Sequence, residues 1–208
     1  MRVLTLSMIA VFAVVAPASA QFRQQAEQSS GLGFTADLVF SQMSGAIGDS
    51  VGTGLGAAGA VFIQPAGPPS RIGVGGSFTR FSGIGARESM KKVSVYAQAG
   101  LQIEDNETSV IPYIMGSVGY TRLSNDDVCS EFVCGTGTTL MGEVRSGLEL
   151  GAVVGVDIPL TETVNVDVAG TFSWLSLGDL EAGGQTISDT STNASTFGLR
   201  AGFTVFPR

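Results

Sequence analysis

Eight stretches of this sequence alternate between apolar residues and polar or small residues. In the sixth stretch, most even positions from Val144 to Ile158 are apolar, while Glu149, Gly151 and Asp157 occupy odd positions. Successive side chains of a β-strand point to opposite faces, so alternation with a period of two indicates strands with one apolar face. Several runs reach about ten residues or more, which a tilted strand needs to cross a membrane, whereas soluble strands average about 5–6 residues.

The spacing of these stretches predicts the topology. The predicted strands cover residues 31–41, 55–64, 72–78, 93–103, 110–122, 143–158, 164–174 and 197–205. The connections alternate between short turns (65–70, 104–108 and 159–163) and longer loops (41–53, 82–91, 123–141 and 176–195). An even strand count puts both chain ends beside the short turns, as in outer-membrane barrels. Closure is expected because an open sheet edge in hydrocarbon leaves backbone groups unpaired.

We therefore predict an all-β fold, an eight-stranded antiparallel up-and-down transmembrane β-barrel over residues 31–208.

For one strand, the sequence does not determine which face points into the barrel. In the stretch 110–122, Ile111, Tyr113 and Met115 oppose Val110, Ile114 and Val118. Either set satisfies the alternation, so this strand predicts no orientation by itself.

The first 30 residues have a different character. Arg2 precedes an apolar stretch, and Ala18-Ser19-Ala20 has the small-residue pattern of a signal-peptidase site. Residues 1–20 are therefore predicted to be a cleaved signal peptide that exports the chain, and residues 21–30 a polar periplasmic lead. The apolar stretch is short for a membrane-spanning helix, which needs about 20 apolar residues. The expected location is the outer membrane of a bacterial cell.

Two strands carry a family resemblance. The segment from Val110 to Tyr120, with its Pro-Tyr and Gly-x-x-Gly-Tyr elements, and the final strand from Thr196 to Phe206 resemble the small outer-membrane β-barrel family. That family includes the OmpA transmembrane domain, OmpX and the opacity-type proteins. The resemblance implies that the last strand is the signal for the outer-membrane insertion machinery. Phe206 is its terminal aromatic residue, although Pro207 and Arg208 follow it.

Charged residues within the strands are expected inside the barrel, because they are too costly on a lipid-facing surface at mid-height. The predicted interior polar network consists of Asp37, Arg145, Glu149, Asp157, Asp167 and Arg200. The first and last strands are neighbours in a closed barrel, so Asp37 and Arg200 are predicted to pair, with Glu149 and Arg145 extending the network. A barrel of eight strands is just wide enough for side chains to fill. We expect a polar plug, with a gate or proton relay as the alternative.

Aromatic residues fall near both ends of the predicted strands. The predicted interface aromatics are Phe40, Phe78, Tyr120 and Trp174 near the outer ends and Phe203 near the periplasmic end, where Phe34 and Tyr113 also fall. Aromatic girdles at both interfaces are typical of membrane barrels, because their amphipathic rings favour the headgroup level. Ordinary core packing is the alternative explanation for these positions.

The residue types limit the chemistry. The chain has no His, which the usual outer-membrane barrel hydrolases and acyltransferases use as acid or base, so an enzyme is not expected. Cys129 and Cys134, both in the third outer loop, are predicted to form a disulfide of an exported protein, and no metal site or cofactor is expected. The formal net charge of −7 argues against a nucleic-acid partner.

The charges of the outer loops have two interpretations. The third and fourth loops carry acidic residues that would bind divalent cations, and the second loop region carries basic residues that would bind lipopolysaccharide phosphates. These basic residues are Arg80, Arg87, Lys91 and Lys92. The simpler interpretation is a solvated rim. Outer-membrane lipids and lipopolysaccharide are the expected partners, beside a surface ligand whose identity the sequence leaves open.

Three functions fit these features. The first is a structural or surface-interaction protein with a plugged interior and four longer outer loops. The second is a narrow channel or small-ligand transporter, and the third is a soluble periplasmic lipocalin-like binding barrel, since lipocalins also have eight strands. An enzyme that works without histidine is a fourth and more remote alternative.

Overall fold

A computed structural model describes residues 31–45, 47–48, 51–65, 70–83, 89–103, 110–125, 143–182 and 185–207. The predicted signal peptide and lead, Arg87, Cys129 and Cys134 lie outside these ranges. The described part of the chain forms ten strands, and it contains no helix long and apolar enough to cross a membrane. The strands are β1 (Gly31–Gly45), β2 (Val51–Gln64), β3 (Ser70–Gly83), β4 (Met90–Gln102), β5 (Ile111–Asn125), β6 (Glu143–Pro159), β7 (Val164–Leu177), β8 (Leu180–Ala182), β9 (Gln185–Ile187) and β10 (Thr192–Val205).

Eight of these strands close into a barrel. Strands β1 to β6 each pair antiparallel with the next one along the chain, β7 pairs with β10, and β10 returns to β1. The last pairing runs from Phe34 opposite Val205 to Gly45 opposite Ala194. Each barrel strand therefore has a neighbour on both sides. The predicted eight-stranded antiparallel up-and-down barrel is confirmed.

The two ends of the barrel differ in their connections. At one end, called the turn end, lie the first and last strand residues and the connections 65–69, 103–110 and 160–163. The opposite end, called the loop end, carries the other four connections. The predicted long first loop over 41–53 is wrong, because β1 continues to Gly45 and β2 begins at Val51. Strand pairing extends further toward the loop end than the apolar alternation does.

The fourth loop also differs from expectation. Within the region 176–195, β8 and β9 form a short hairpin, and β8 pairs with β6 through Val144 opposite Glu181. The backbone N–H and side-chain hydroxyl of Thr190 secure the base of this hairpin. The N–H donates to Asp179 Oδ1 at 3.1 Å, and the hydroxyl oxygen accepts from Leu180 N at 2.7 Å. One wall of the barrel thus continues beyond its rim.

Inward and outward positions alternate along every barrel strand. In β5 the odd residues Tyr113, Met115 and Thr121 are buried, whereas Ile114 and Val118 are exposed. This settles the face that the sequence leaves open, because the pairing of β5 with β4 and β6 dictates which side chains point inward. Tyr113 therefore lies inside, and its predicted place among the interface aromatics is wrong.

Two glycines give matched tests of packing. A Cβ at the inward-facing Gly202 would overlap the Ala36 carbonyl oxygen and the Asp37 carboxylate, whereas a Cβ at the outward-facing Gly116 would meet nothing within 4 Å. We expect Gly202→Ala to lower the free energy of unfolding by about 1–3 kcal/mol, because overpacking displaces β1. Gly116→Ala should change it by less than about 0.5 kcal/mol. Urea titration of the detergent-folded protein measures both, and equal midpoints would contradict the close approach of β10 to β1.

Candidate functional site: the charged interior and the two ends of the barrel

A charged network crosses the barrel interior in its turn-end half. Arg71 NH2 on β3 lies 2.6 Å from Asp157 Oδ2 on β6. Arg200 Nε on β10 lies 3.3 Å from Asp167 Oδ1 on β7 and 3.7 Å from Asp37 Oδ2 on β1. These groups are buried, and Asp157 has no exposed surface. Two guanidinium groups thus face three carboxylates away from solvent.

Tyr113 contacts both cations of this network, and the Arg71 guanidinium carbon lies 5.7 Å from its ring centroid. Its hydroxyl donates to Asp167 Oδ2 and accepts a hydrogen bond of 2.9 Å from Arg200 NH2. Removing any member leaves a buried charge without part of its compensation, which is costly in a medium of low dielectric constant. The network therefore ties β1, β5, β7 and β10 together through side chains as well as through the backbone.

A second ion pair lies nearer the loop end of the interior. Lys92 Nζ on β4 lies 2.7 Å from Glu149 Oε1 on β6, and Ser94 Oγ donates to Glu149 Oε2 at 2.6 Å. The Ser94 and Thr121 hydroxyls are 2.9 Å apart. Glu149 is predicted to extend the network of Asp37 and Arg200, but it pairs with Lys92. The expected place of Lys92 in the second outer loop region is wrong, because Lys92 lies on β4 and is buried. Arg145 lies nearer the loop end of β6, where its guanidinium donates a hydrogen bond to the Thr190 carbonyl oxygen in the fourth loop.

Two aromatic rings contact each other and Arg71 near the turn end. The Phe62 and Phe206 rings meet edge to face, with 5.6 Å between their centroids. The Arg71 guanidinium carbon lies 4.8 Å from the Phe62 centroid and 5.8 Å from the Phe206 centroid. Such cation–π contacts stabilise a guanidinium that is withdrawn from water. Phe206, the predicted terminal insertion signal, is buried here, and its N–H donates to the Thr163 carbonyl at 2.8 Å.

An apolar cluster of buried residues lies inside the loop end of the barrel. It is formed by the inward-facing ends of β1 to β5, β7 and β10, and Ile47 packs against it. The members, called the loop-end cluster, are Met43, Val51, Phe81, Met90, Leu123, Leu175, Leu177 and Ala194. Phe81 and Leu175 have no exposed surface. The interior is thus apolar at the loop end, charged in the middle and aromatic at the turn end.

The outward surface has the opposite character. The five predicted interface aromatics all face outward and are substantially exposed; they are Phe40, Phe78, Tyr120, Trp174 and Phe203. Apolar side chains such as Leu38, Leu55 and Val74 occupy most of the remaining outward positions. Between them, the small residues Ala97, Ala99 and Gly116 contribute to an open apolar groove of about 860 Å³. The chain therefore buries charge and exposes hydrocarbon.

Sequence reasoning missed Arg71 and Lys92 as interior residues, although a signal was present. In β3 the outward residues, such as Ile72 and Val74, have even numbers, so the odd-numbered Arg71 faces inward. In β4 the outward residues are odd, so Lys92 is inward as well. Both residues lie one position before the predicted strand began. In the described ranges, no group of three or more Cys, Asp or Glu side chains is arranged to hold a metal ion.

Comparison with known proteins places the fold. No protein-family model matches the chain, and no curated protein sequence matches it. Among solved structures, Neisserial surface protein A (NspA) aligns with a TM-score of 0.65 at 19% identity over 86% of this chain and 98% of that one. The outer membrane protein OprG from Pseudomonas aeruginosa aligns with a TM-score of 0.53 at 12% identity over 85% of this chain and 95% of that one. The chain has the fold of the small outer-membrane barrels.

Proposed function

We propose that this protein is a closed, non-conducting barrel of the bacterial outer membrane, exported by residues 1–20, with a structural or surface-interaction role. The observation that supports the proposal is the series of buried side-chain groups inside the barrel. The loop-end cluster, the two ion-pair systems and the Phe62–Phe206 contact follow one another from end to end. A passage for ions would have to displace buried charges and an apolar barrier, both of which oppose permeation.

Placement in a membrane is supported by the distribution of polarity. An outward face of exposed Leu, Val, Ile and Phe side chains is unstable in water at this extent, but it matches a lipid environment. The same distribution counts against the lipocalin-like alternative, because a soluble binding barrel keeps its outward face polar and its cavity open to a ligand. Detergent extraction tests the placement. If the mature protein remains soluble without detergent, the membrane assignment fails.

Conductance measurements test the closed interior. We expect the mature protein in planar bilayers to give no conductance above the protein-free background, because ions would have to pass the loop-end cluster, the two ion-pair systems and the Phe62–Phe206 contact. Heat-modifiable gel migration of the same preparation serves as the folding control. Discrete openings that change in amplitude in the Arg200→Ala variant would instead support the narrow-channel alternative. Openings of that kind would overturn the proposed function.

A further inference from the structure

Three acidic side chains lie at the same level of the barrel interior, across four adjacent strands. Asp37 on β1 is directly opposite Gly202 on β10, which is opposite Asp167 on β7. Asp167 is in turn directly opposite Asp157 on β6. Side chains in such positions have Cβ atoms about 4.5–5.5 Å apart, and like charges there are destabilising. Asp37, Asp157 and Asp167, called the acidic row, therefore need positive charge nearby.

The acidic row carries more charge than the nearby cations neutralise. In the turn-end half of the described strands, the inward positions hold these three acids and two basic residues, Arg71 and Arg200. Lys92 is paired with Glu149, and Arg145 lies at the opposite end of β6. If all three acids were ionised, one negative charge would remain unbalanced in a buried region of low dielectric constant.

Asp37 is the member of the acidic row with the least compensation. Asp157 has Arg71 at 2.6 Å, and Asp167 has Arg200 at 3.3 Å. Asp37 is 4% exposed and shares Arg200 at 3.7 Å, and neither of its oxygens accepts a hydrogen bond from any described residue. A buried carboxylate without hydrogen bonds is so costly that such a group commonly becomes neutral instead.

A second buried polar group without a partner belongs to Thr204. This residue is the next inward residue after Gly202 on β10, so it occupies a position diagonal to Asp37. Its hydroxyl oxygen is fully buried and has no hydrogen-bond partner among the described residues. Diagonal positions on neighbouring strands are about 7–8 Å apart, within reach of longer side chains. An O–H group on Asp37 would give both residues a hydrogen-bond partner.

We propose that the folded barrel binds one proton on Asp37, so that the acidic row and its two arginines together are electrically neutral. The proton comes from water when the barrel closes; an O–H bond forms on one Asp37 oxygen, and no bond of the protein breaks. The proton is held and not relayed, because Glu149, the next described acid toward the loop end, is paired with Lys92. The charged or titratable side chains of this half of the interior, to which β2 contributes none, are Arg71, Tyr96, Tyr113, Asp157, Asp167 and Arg200.

The pH dependence of unfolding tests whether folding takes up a proton. An Asp carboxyl of the unfolded chain is ionised above about pH 5, so the folded protein would bind one proton more and its stability would fall as the pH rises. From about pH 5 to about pH 7, we expect the folding equilibrium constant to fall about tenfold or more relative to Asp37→Asn, measured by urea titration in detergent. The chain has no His that would titrate in this range. Equal pH profiles of the two proteins would refute the proton.

Infrared spectroscopy identifies the residue that holds the proton. At about pH 6, where ordinary carboxyl groups are ionised, we expect the C=O stretching band of one protonated carboxyl group in the folded protein. Asp37→Asn should lose this band, and the matched control Glu149→Gln, which removes a buried acid with its own cation, should keep it. A band that survives in Asp37→Asn would contradict the assignment. If Asp37→Asn does not fold, a band that persists in both Asp157→Asn and Asp167→Asn supports Asp37, and its absence from the unmodified protein refutes the proposal.

A bound alkali cation is the other way to neutralise the acidic row. Replacing sodium chloride by choline chloride at constant ionic strength should leave the difference between the unmodified protein and Asp37→Asn unchanged. A difference that depends on sodium would overturn the bound proton. The outcome is separable from that for the proposed function, because a conducting protein that shows the infrared band contradicts the closed barrel alone. A non-conducting protein without the band contradicts the bound proton alone.

Discussion

The Arg200→Met variant is expected to lose about 3–5 kcal/mol of the free energy of unfolding, the usual cost of removing one partner from a buried ion pair. The Arg200 guanidinium lies between Asp37 and Asp167 and also donates to the Tyr113 hydroxyl. Met fills a similar volume but leaves both carboxylates without their nearest cation. Urea unfolding of the detergent-folded barrel, followed by heat-modifiable migration, measures the loss.

Two controls separate charge from packing in this experiment. Arg122→Met removes an arginine from the exposed outward face and should change the unfolding free energy by less than about 0.5 kcal/mol. Adding Asp37→Asn and Asp167→Asn to Arg200→Met leaves only the Arg71–Asp157 pair of this network charged and should restore most of the lost stability. If the triple variant is no more stable than Arg200→Met, the loss comes from packing and the electrostatic explanation is wrong.

Phe81→Ala should destabilise the barrel by about 3–5 kcal/mol, the range for truncating a fully buried Phe. Phe81 lies at the centre of the loop-end cluster and has no exposed surface. The truncation leaves a cavity inside the loop end, where the surrounding strands of the barrel limit how far neighbouring side chains can move to fill it. The shift of the urea midpoint at constant slope gives the change in stability.

Phe78→Ala is the matched control for this variant, because it removes the same side chain from the same strand. Phe78 faces outward and is 45% exposed, so its truncation leaves no enclosed cavity. We expect it to cost less than half as much as Phe81→Ala. Equal losses at the two positions would mean that the loop-end cluster is not a tightly packed barrier, and the closed-barrel proposal would lose one of its supports.

The barrel follows from the sequence because alternation constrains the fold more strongly than composition does. The predicted strands are even in number and longer than those of soluble sheets. In lipid, closure into a barrel is the way to pair the backbone groups of every strand. The ends of the strands are less predictable. Met43 and Val51 belong to strands because their backbones pair with a neighbouring strand. The residues beside them, Ser44 and Gly52, interrupt the apolar alternation, so the sequence does not show that the strands extend this far.

The inward carboxylates of the interior network were predictable, whereas the cations Arg71 and Lys92 that pair with two of the carboxylates were missed. The inward parity of Asp37, Asp157 and Asp167 follows from the apolar residues on either side of them in sequence. Which cation meets which carboxylate depends on the stagger of one strand against the next around the barrel, a property that no single strand encodes. The sequence therefore predicts Glu149 as an extension of the Asp37–Arg200 network, whereas the structure places Lys92 beside it.

The location of Arg200 and Asp37 bears on the order in which the protein is assembled. These residues belong to the last and first strands, which are the farthest apart in the chain and meet only when the cylinder closes. Before that moment the Asp37 carboxylate depends on water for its solvation, whereas Arg200 has Asp167 on the neighbouring strand β7. An open sheet that entered the bilayer would carry Asp37 into hydrocarbon uncompensated. We therefore expect joining of the two terminal strands to accompany membrane entry, so that the chain crosses the bilayer as a completed ring.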